Sequence, residues 1–364
     1  MKRILGILAL LVALPVTAQE LEIKPYGYFK VDLGFDSALS SHGNFAMYVK
    51  PYEIGGSASS TSLTARQTRL GLKINRDEMS GIVEFDFYGG GAENKNIPVL
   101  RKAYVDVPIG GLDLRAGQAS DLVSPLVPNT INYTVLWGAG NIGYRRPLVK
   151  LSDRTKHLNW GVAIARNIGD DLNGDQILDG DAACTPAIQS RLGLPLAEGT
   201  ELGVSGHYGR RTSDGAAEET YHSWSVNFDF RITVTPGFRI LGEGYTGANV
   251  GSYYGAVLNG DCVTDLESRG GWVNVQADAT DRTSFSIGYG IDDLANESTT
   301  RFANHPFTRS RNQVLFTNTS FEVVKGVTIG LEVSRWATHY LNVDADTVEE
   351  PVNYRAQWSL KSIF

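Results

Sequence analysis

Tyr354-Arg355-Ala356-Gln357-Trp358-Ser359-Leu360-Lys361-Ser362-Ile363-Phe364 closes the chain. Tyr354, Ala356, Trp358, Leu360 and Phe364 share one parity, and Arg355, Gln357, Ser359 and Lys361 share the other. A period of two with one apolar and one polar face is a β-strand set between two unlike solvents. By itself the segment fits either the edge of a soluble sandwich or the wall of a transmembrane barrel. In a barrel the apolar side meets lipid and the polar side meets a wet lumen.

The other end of the chain separates these readings. Met1-Lys2-Arg3 is a short basic region, Ile4 to Val16 is apolar on every side, and Val16-Thr17-Ala18 offers small residues before Gln19. This pattern predicts a secretory signal over residues 1–18, too short to span a membrane as a helix. Taking 18 from the 364 residues leaves a mature domain at 19–364, and loss of Lys2 and Arg3 moves the formal charge from −7 to −9. The charge is acidic and unsegregated, which argues against nucleic acid as a partner. Cys184 and Cys262 fall in inferred loops of an exported chain, where one disulfide is chemically allowed.

Alternation recurs along the whole mature chain. Phe29-Val31-Leu33-Phe35 encloses Lys30, Asp32 and Gly34; Leu70-Leu72-Ile74 stands opposite Arg69, Gly71 and Lys73. Similar stretches run at Val83–Phe87, Leu158–Ile164, Trp224–Phe230, Phe285–Ile291 and Val327–Val333. Carboxylates and amides between bulky apolar residues suit a polar face that sees water. A soluble barrel would instead expose a belt of Phe, Trp and Val. Six short connections (for example Asn75–Met79 and Lys325–Gly326) interleave with eight long ones, from Ser37–Thr61 to Leu341–Glu350. Eight long loops on one rim and short turns on the other predict an all-β, transmembrane antiparallel β-barrel of about 16 strands.

Several segments resemble the DcaP-like family of trimeric outer-membrane porins. They are Thr64–Gly71, Glu84-Phe85-Asp86-Phe87-Tyr88, Leu100-Arg101-Lys102-Ala103-Tyr104, Leu114–Gln118 running through Ser124–Thr130 to Gly140–Arg145, Gly244–Gly255 and Gly330–Trp336. The resemblance implies a sixteen-stranded trimeric diffusion channel favouring small anionic organic acids, in the outer membrane of a Gram-negative bacterium. Its partners would be lipid, lipopolysaccharide, small solutes and, through the carboxy-terminal strand, the barrel-assembly machinery. The chain departs from the family in lacking an amino-terminal coiled-coil extension, since Gln19 to Lys24 leads directly into the first strand.

The longest ordered-looking loop, Ala119 to Asn141, carries Leu122, Val123, Leu126, Val127, Val135, Leu136 and Trp137, which need burial. That favours a third loop folded into the lumen, with Asp121, Asn129 and Asn132 as polar groups reaching the pathway; the alternative is an ordinary external loop at a subunit contact. Inward parity selects Arg69, Lys73, Arg115 and Arg191 as basic groups and Glu84 and Asp86 as acidic ones. The fourth strand is ambiguous: its outer Val105 and Val107 turn Lys102 inward and Arg101 outward, unless that wall is a subunit contact. Opposed basic and acidic walls would set a transverse field across a narrow aqueous path. Generic solvation of a wet lumen accounts for most such charges equally well. Arg355, Gln357 and Lys361 should meet Lys30 and Asp32 where the barrel closes.

Asp171, Asn173, Asp175 and Asp179 have the spacing of oxygen ligands in a calcium loop. Gln176 stands where such loops carry glycine and Ala182 where they carry a bidentate glutamate, so a solvated acidic loop, or one bridging lipopolysaccharide phosphates through divalent ions, competes. Gly138-Ala139-Gly140-Asn141-Ile142-Gly143 matches a dinucleotide fingerprint only formally, since no helix follows it. The histidines lack metal spacing and no GxSxG elbow occurs. No enzyme is indicated and no cofactor is required. A barrel enzyme such as a phospholipase, or a surface-binding barrel without an open pore, remains the alternative to a porin for small hydrophilic solutes.

Overall fold

The computed structural model describes residues 21–55, 57–89, 95–213, 219–295, 308–342 and 347–364. The signal segment expected over 1–18 lies outside them. Alternating sequence becomes alternating exposure. In the last strand Tyr354, Ala356 and Leu360 are exposed, while Arg355, Gln357 and Ser359 are buried.

Sixteen antiparallel staves make one closed sheet. They are β1 (Glu22–Asp36), β2 (Ser60–Thr64 continued as Arg69–Arg76), β3 (Met79–Gly89), β4 (Ile97–Ile109) and β5 (Leu112–Ser120). Next come β6 (Arg145–Arg154), β7 (Asn159–Ala165), β8 (Ala187–Ala197), β9 (Thr200–Ser213), β10 (Glu219–Thr235) and β11 (Phe238–Ala248). The circuit ends with β12 (Glu267–Thr280), β13 (Thr283–Leu294), β14 (Thr308–Val324), β15 (Val327–Asn342) and β16 (Val352–Ile363). Both pieces of β2 pair with β1, and the short piece Thr347–Glu349 precedes β16 on β15, so each counts within one stave.

Closure runs between β16 and β1 in the register Lys30↔Lys361, Asp32↔Ser359 and Gly34↔Gln357. The Gln357 amide donates to Asp32 at 3.0 Å, and the Phe364 and Phe29 rings sit 5.2 Å apart. The expected meeting of terminal and first strands is found.

Polarity is inverted relative to a water-soluble domain. Phe29, Phe35, Leu72, Ile164, Ile188, Val226, Phe285, Leu315 and Val333 are exposed, whereas Asp229, Glu243, Asn274, Asn312, Glu332 and Gln357 are buried. Such an apolar belt far exceeds the patches that soluble monomers tolerate and fits a hydrocarbon solvent. No described helix is long and apolar enough to cross a membrane, which leaves the strands of a barrel untouched.

Candidate functional site: a basic cavity beside the third loop

The loop between β5 and β6, residues 121–144, has few backbone partners of its own. Side chains from the polar face of the wall supply them. Gln189 (β8) accepts from Leu122 N at 2.8 Å, Glu243 (β11) from Leu126 N at 2.6 Å, and Asn274 (β12) from Asn129 N at 3.0 Å. Glu332 (β15) accepts from Ile131 N at 2.6 Å and from Asn132 N at 3.2 Å. Lys30 (β1) donates to Ile131 O at 2.9 Å, Asn318 (β14) to Asn129 O at 2.7 Å, and Asn312 (β14) to Gly138 O at 2.9 Å. A buried backbone group without a partner is costly, so these amides and carboxylates fix the loop's path.

Apolar contacts add to this hold. Leu122, Val123, Leu126 and Leu136 are buried, while Val127 stays exposed to the cavity. The glycines of the formal dinucleotide match have a packing role. At Gly140, with φ +98°, an added Cβ would lie 2.2 Å from Gly271 O, so only glycine allows this approach to β12. A second loop, between β11 and β12, backs the first: Gly138 N donates to Tyr254 O at 2.9 Å and Gly143 N to Tyr253 O at 2.7 Å.

Beside residues 121–137 lies a cavity of about 760 Å³. Its lining carries ten cations (Lys30, Arg69, Arg101, Lys102, Arg115, Arg145, Lys150, Arg154, Arg191 and Lys361) and one carboxylate, Asp121, so cations outnumber carboxylates on its surface. Asp121 is itself engaged: Arg146 donates to it at 2.7 and 3.2 Å, and Gln189 and Tyr144 N add donors at 2.6 and 2.9 Å. Its carboxylate anchors the loop to β6 while lining the cavity. Asn132, unlike Asp121, lines neither described cavity. Its amide holds Ala46 O at 2.9 Å and Thr134 Oγ1 at 2.7 Å, tying the first long loop to the third. Asn129 is exposed and lines the cavity.

The charged residues on the walls pair locally. On β4 the register passes from Glu84↔Lys102 to Phe85↔Leu100, leaving Arg101 as the extra residue of a bulge. That bulge puts both Arg101 and Lys102 on the cavity side, which resolves the ambiguity of this strand. Arg101 donates to Glu84 at 2.9 Å and pairs with Asp86, while Arg69 stands 3.6 Å from Glu84. Glu84 and Asp86 therefore form no acidic wall facing a basic one; they sit buried among the arginines of their own wall. Arg115 grips Asp106 through two bonds of 2.7 Å, and Arg191 bridges Glu201 at 2.7 Å and Asp229 at 2.6 Å. Lys73 is exposed near the short-turn rim, 5.3 Å from the Tyr26 ring, and does not line the cavity.

Lys102, Arg145, Lys150, Arg154 and Lys361 supply lining charge without a carboxylate partner among the described residues. Lys150 and Arg154 escaped the sequence reading because Leu148 shares their inward parity and packs beneath the third loop, which breaks the visible alternation.

In the acidic loop after β7 the side chains bond mainly to the loop's own backbone. Asp171 accepts from Gly174 N at 2.7 Å and Gln176 N at 2.9 Å, whereas buried Asp179 turns to Tyr221 OH at 2.8 Å. Asn173 donates to Asp175 at 3.1 Å, and no three acidic, His or Cys groups converge among the described residues. Cys184 and Cys262 are both free thiols. His207 contacts Ser225 at 2.7 Å and Ser223 at 2.9 Å, but it is buried in the wall and lines neither described cavity.

No family model and no curated protein matches the chain. Among solved structures, the outer membrane channel DcaP of Acinetobacter baumannii superposes with a TM-score of 0.77 at 17% identity, over 94% of this chain and 97% of that one. A refined porin gives 0.58 at 11% identity over 94% and 100% of the two chains. The trimer form of OmpT, an outer membrane protein of Vibrio cholerae, gives 0.59 at 10% identity over 95% and 100%. The chain thus has the fold of outer-membrane channels, a closed sixteen-stranded barrel of the form seen in DcaP.

Proposed function

We propose that the protein is a porin of the Gram-negative outer membrane, a passive diffusion channel for small hydrophilic solutes that favours organic anions. The cavity lining supports this reading, because five of its ten cations have no carboxylate partner among the described residues and its one carboxylate is already held by Arg146. In this reading the third loop narrows the lumen and the long loops face outward, as the resemblance implies. Lys102, Lys150 and Lys361 draw the anion in, with Arg69, Arg101, Arg115, Arg191 and Asn129 along its path. Guanidinium and ammonium groups bind carboxylate in water weakly enough to release it. Homotrimers in a lipid and lipopolysaccharide leaflet, assembled through the terminal strand, fit a belt that is apolar all round.

Planar-bilayer recording tests the proposal. Under a salt gradient the reversal potential should shift toward that of chloride, and less so in Lys102→Ala with Lys150→Ala. A cation-selective channel would overturn the anion preference. A silent bilayer accompanied by lipid hydrolysis would overturn the porin reading itself.

A further inference from the structure

A second cavity, of about 390 Å³, opens beside the first and shares Tyr133, Trp137 and Tyr144 with it. That volume is within the usual span of small-molecule sites, roughly 300–1,000 Å³. Its walls form an unbroken chain of rings. Phe45 meets Tyr88 at 5.2 Å, Tyr88 meets Tyr133 at 4.0 Å, Tyr133 meets Trp137 at 5.9 Å, and Trp137 stacks on Tyr254 at 4.6 Å.

Both charged residues of this cavity are engaged elsewhere. Asp86 is held by Arg101, and Arg309 donates to Val257 O at 2.8 Å and Leu258 O at 2.7 Å. The polar tips are not all engaged. Among the described residues the Tyr48 and Tyr88 hydroxyls and the Trp137 indole N–H have no hydrogen-bond partner. At the junction with the basic cavity stands Arg145, 8% exposed, its guanidinium 4.3 Å over the Tyr144 ring. Its Nη2 is buried with no partner. A buried cation without a counter-charge is unfavourable by itself and is relieved by an arriving anion.

We propose that the ring cavity and Arg145 together bind a sugar acid, a pyranose bearing a carboxylate. The inference rests on the channel reading and names the solute class of its entrance. The pyranose face lies on the aromatic rings, and its hydroxyls meet the unengaged phenol and indole groups. Its carboxylate reaches Arg145 and the cations behind it. A benzenoid anion would satisfy Arg145 equally, but it would cover the Tyr48, Tyr88 and Trp137 donors without offering them partners. Leaving such donors dry is unfavourable.

The test is concentration-dependent block of the chloride current by glucuronate, glucose or benzoate in single channels. Glucuronate should block saturably, and Arg145→Gln should raise the half-blocking concentration by about tenfold or more, as loss of a charged hydrogen bond requires. Tyr88→Phe should raise it by roughly two- to fivefold, the scale of one neutral hydrogen bond, and reports independently if the arginine variant does not assemble. Benzoate blocking as strongly as glucuronate, with no response to Tyr88→Phe, would overturn the pyranose assignment. A conducting channel that glucuronate does not block saturably would overturn the site while sparing the porin reading. In a silent bilayer the porin reading fails instead, and calorimetric titration of glucuronate into the detergent-purified protein decides the site. Heat lost in Arg145→Gln supports it, and no heat with the wild type overturns it.

Discussion

At the scale of single residues, Arg101 shows what a parity argument does and does not reach. Alternation along β4 assigns one face to every second residue and left open whether Lys102 or Arg101 turns inward. A bulge adds one residue to that count, and nothing in the local sequence marks it. The bulge delivers Arg101 to Glu84 and Asp86, which are 4% and 1% exposed and hence depend on its charge. Arg101→Ala should therefore destabilise the barrel by about 3–5 kcal/mol, the cost of stranding buried charge. Urea unfolding in detergent measures it, and adding Glu84→Gln and Asp86→Asn should restore most of the loss. Lys102→Ala, which breaks no ion pair, should stay within about 0.5 kcal/mol of the wild type while reducing anion selectivity. Equal losses in the two variants would contradict this division between wall and pathway.

At the scale of elements, the long loops hold what the sequence only half disclosed. The apolar content of residues 119–141 signalled burial, but its receivers, Glu243, Asn274, Asn318 and Glu332, lie 117 to 201 positions away along the chain. No periodicity reports such distant pairings. Their isosteric removal is a direct check: Glu332→Gln keeps the shape but loses an acceptor from Ile131 N or Asn132 N. Single-channel recordings should then show larger open-state noise, and Gly140→Ala, clashing with Gly271 O, should show it too. Unchanged noise in both would mean that these contacts do not set the loop's position. The loops after β7 and β11 meet through Asp261, which pairs with Arg211 and accepts from Asp170 N at 3.0 Å. Burial pushes the Asp261 carboxyl up to about 6. In the unfolded chain it titrates near 3.9, so the folded state holds the proton longer. Stability should then fall as pH rises from about 4 to about 6 and level off above, because over that window the folded state binds more protons. Thermal midpoints across this range should show the slope, and Asp261→Asn should flatten it.

At the scale of the whole molecule, polarity is inverted, and that was the most legible property of the sequence. One greasy and one wet face recur from Phe29 to Phe364, and eight long loops alternating with short turns give the stave number directly. Net charge pointed the other way: the chain is −7 overall, yet cations outnumber carboxylates on the cavity beside the third loop. Carboxylates that balance the sum are held in buried ion pairs such as Asp36–Arg355 and Asp86–Arg101, and Asp121, which does line the cavity, is held by Arg146. Selectivity is therefore a matter of placement, which depends on which strands meet and not on composition. Placement also sets how selectivity responds to salt. Lys102, Lys150 and Lys361 face a cavity open to solvent, so mobile ions screen them, with a Debye length of about 10 Å at 0.1 M and about 3 Å at 1 M. Reversal potentials under a fixed tenfold salt gradient should consequently favour chloride strongly when the dilute side is near 0.01 M, where screening reaches about 30 Å, and only weakly when it is near 0.1 M. A preference independent of salt would instead place the discrimination in a dry, direct contact. Arg145→Gln would then abolish it, while the lysine variants would leave it intact.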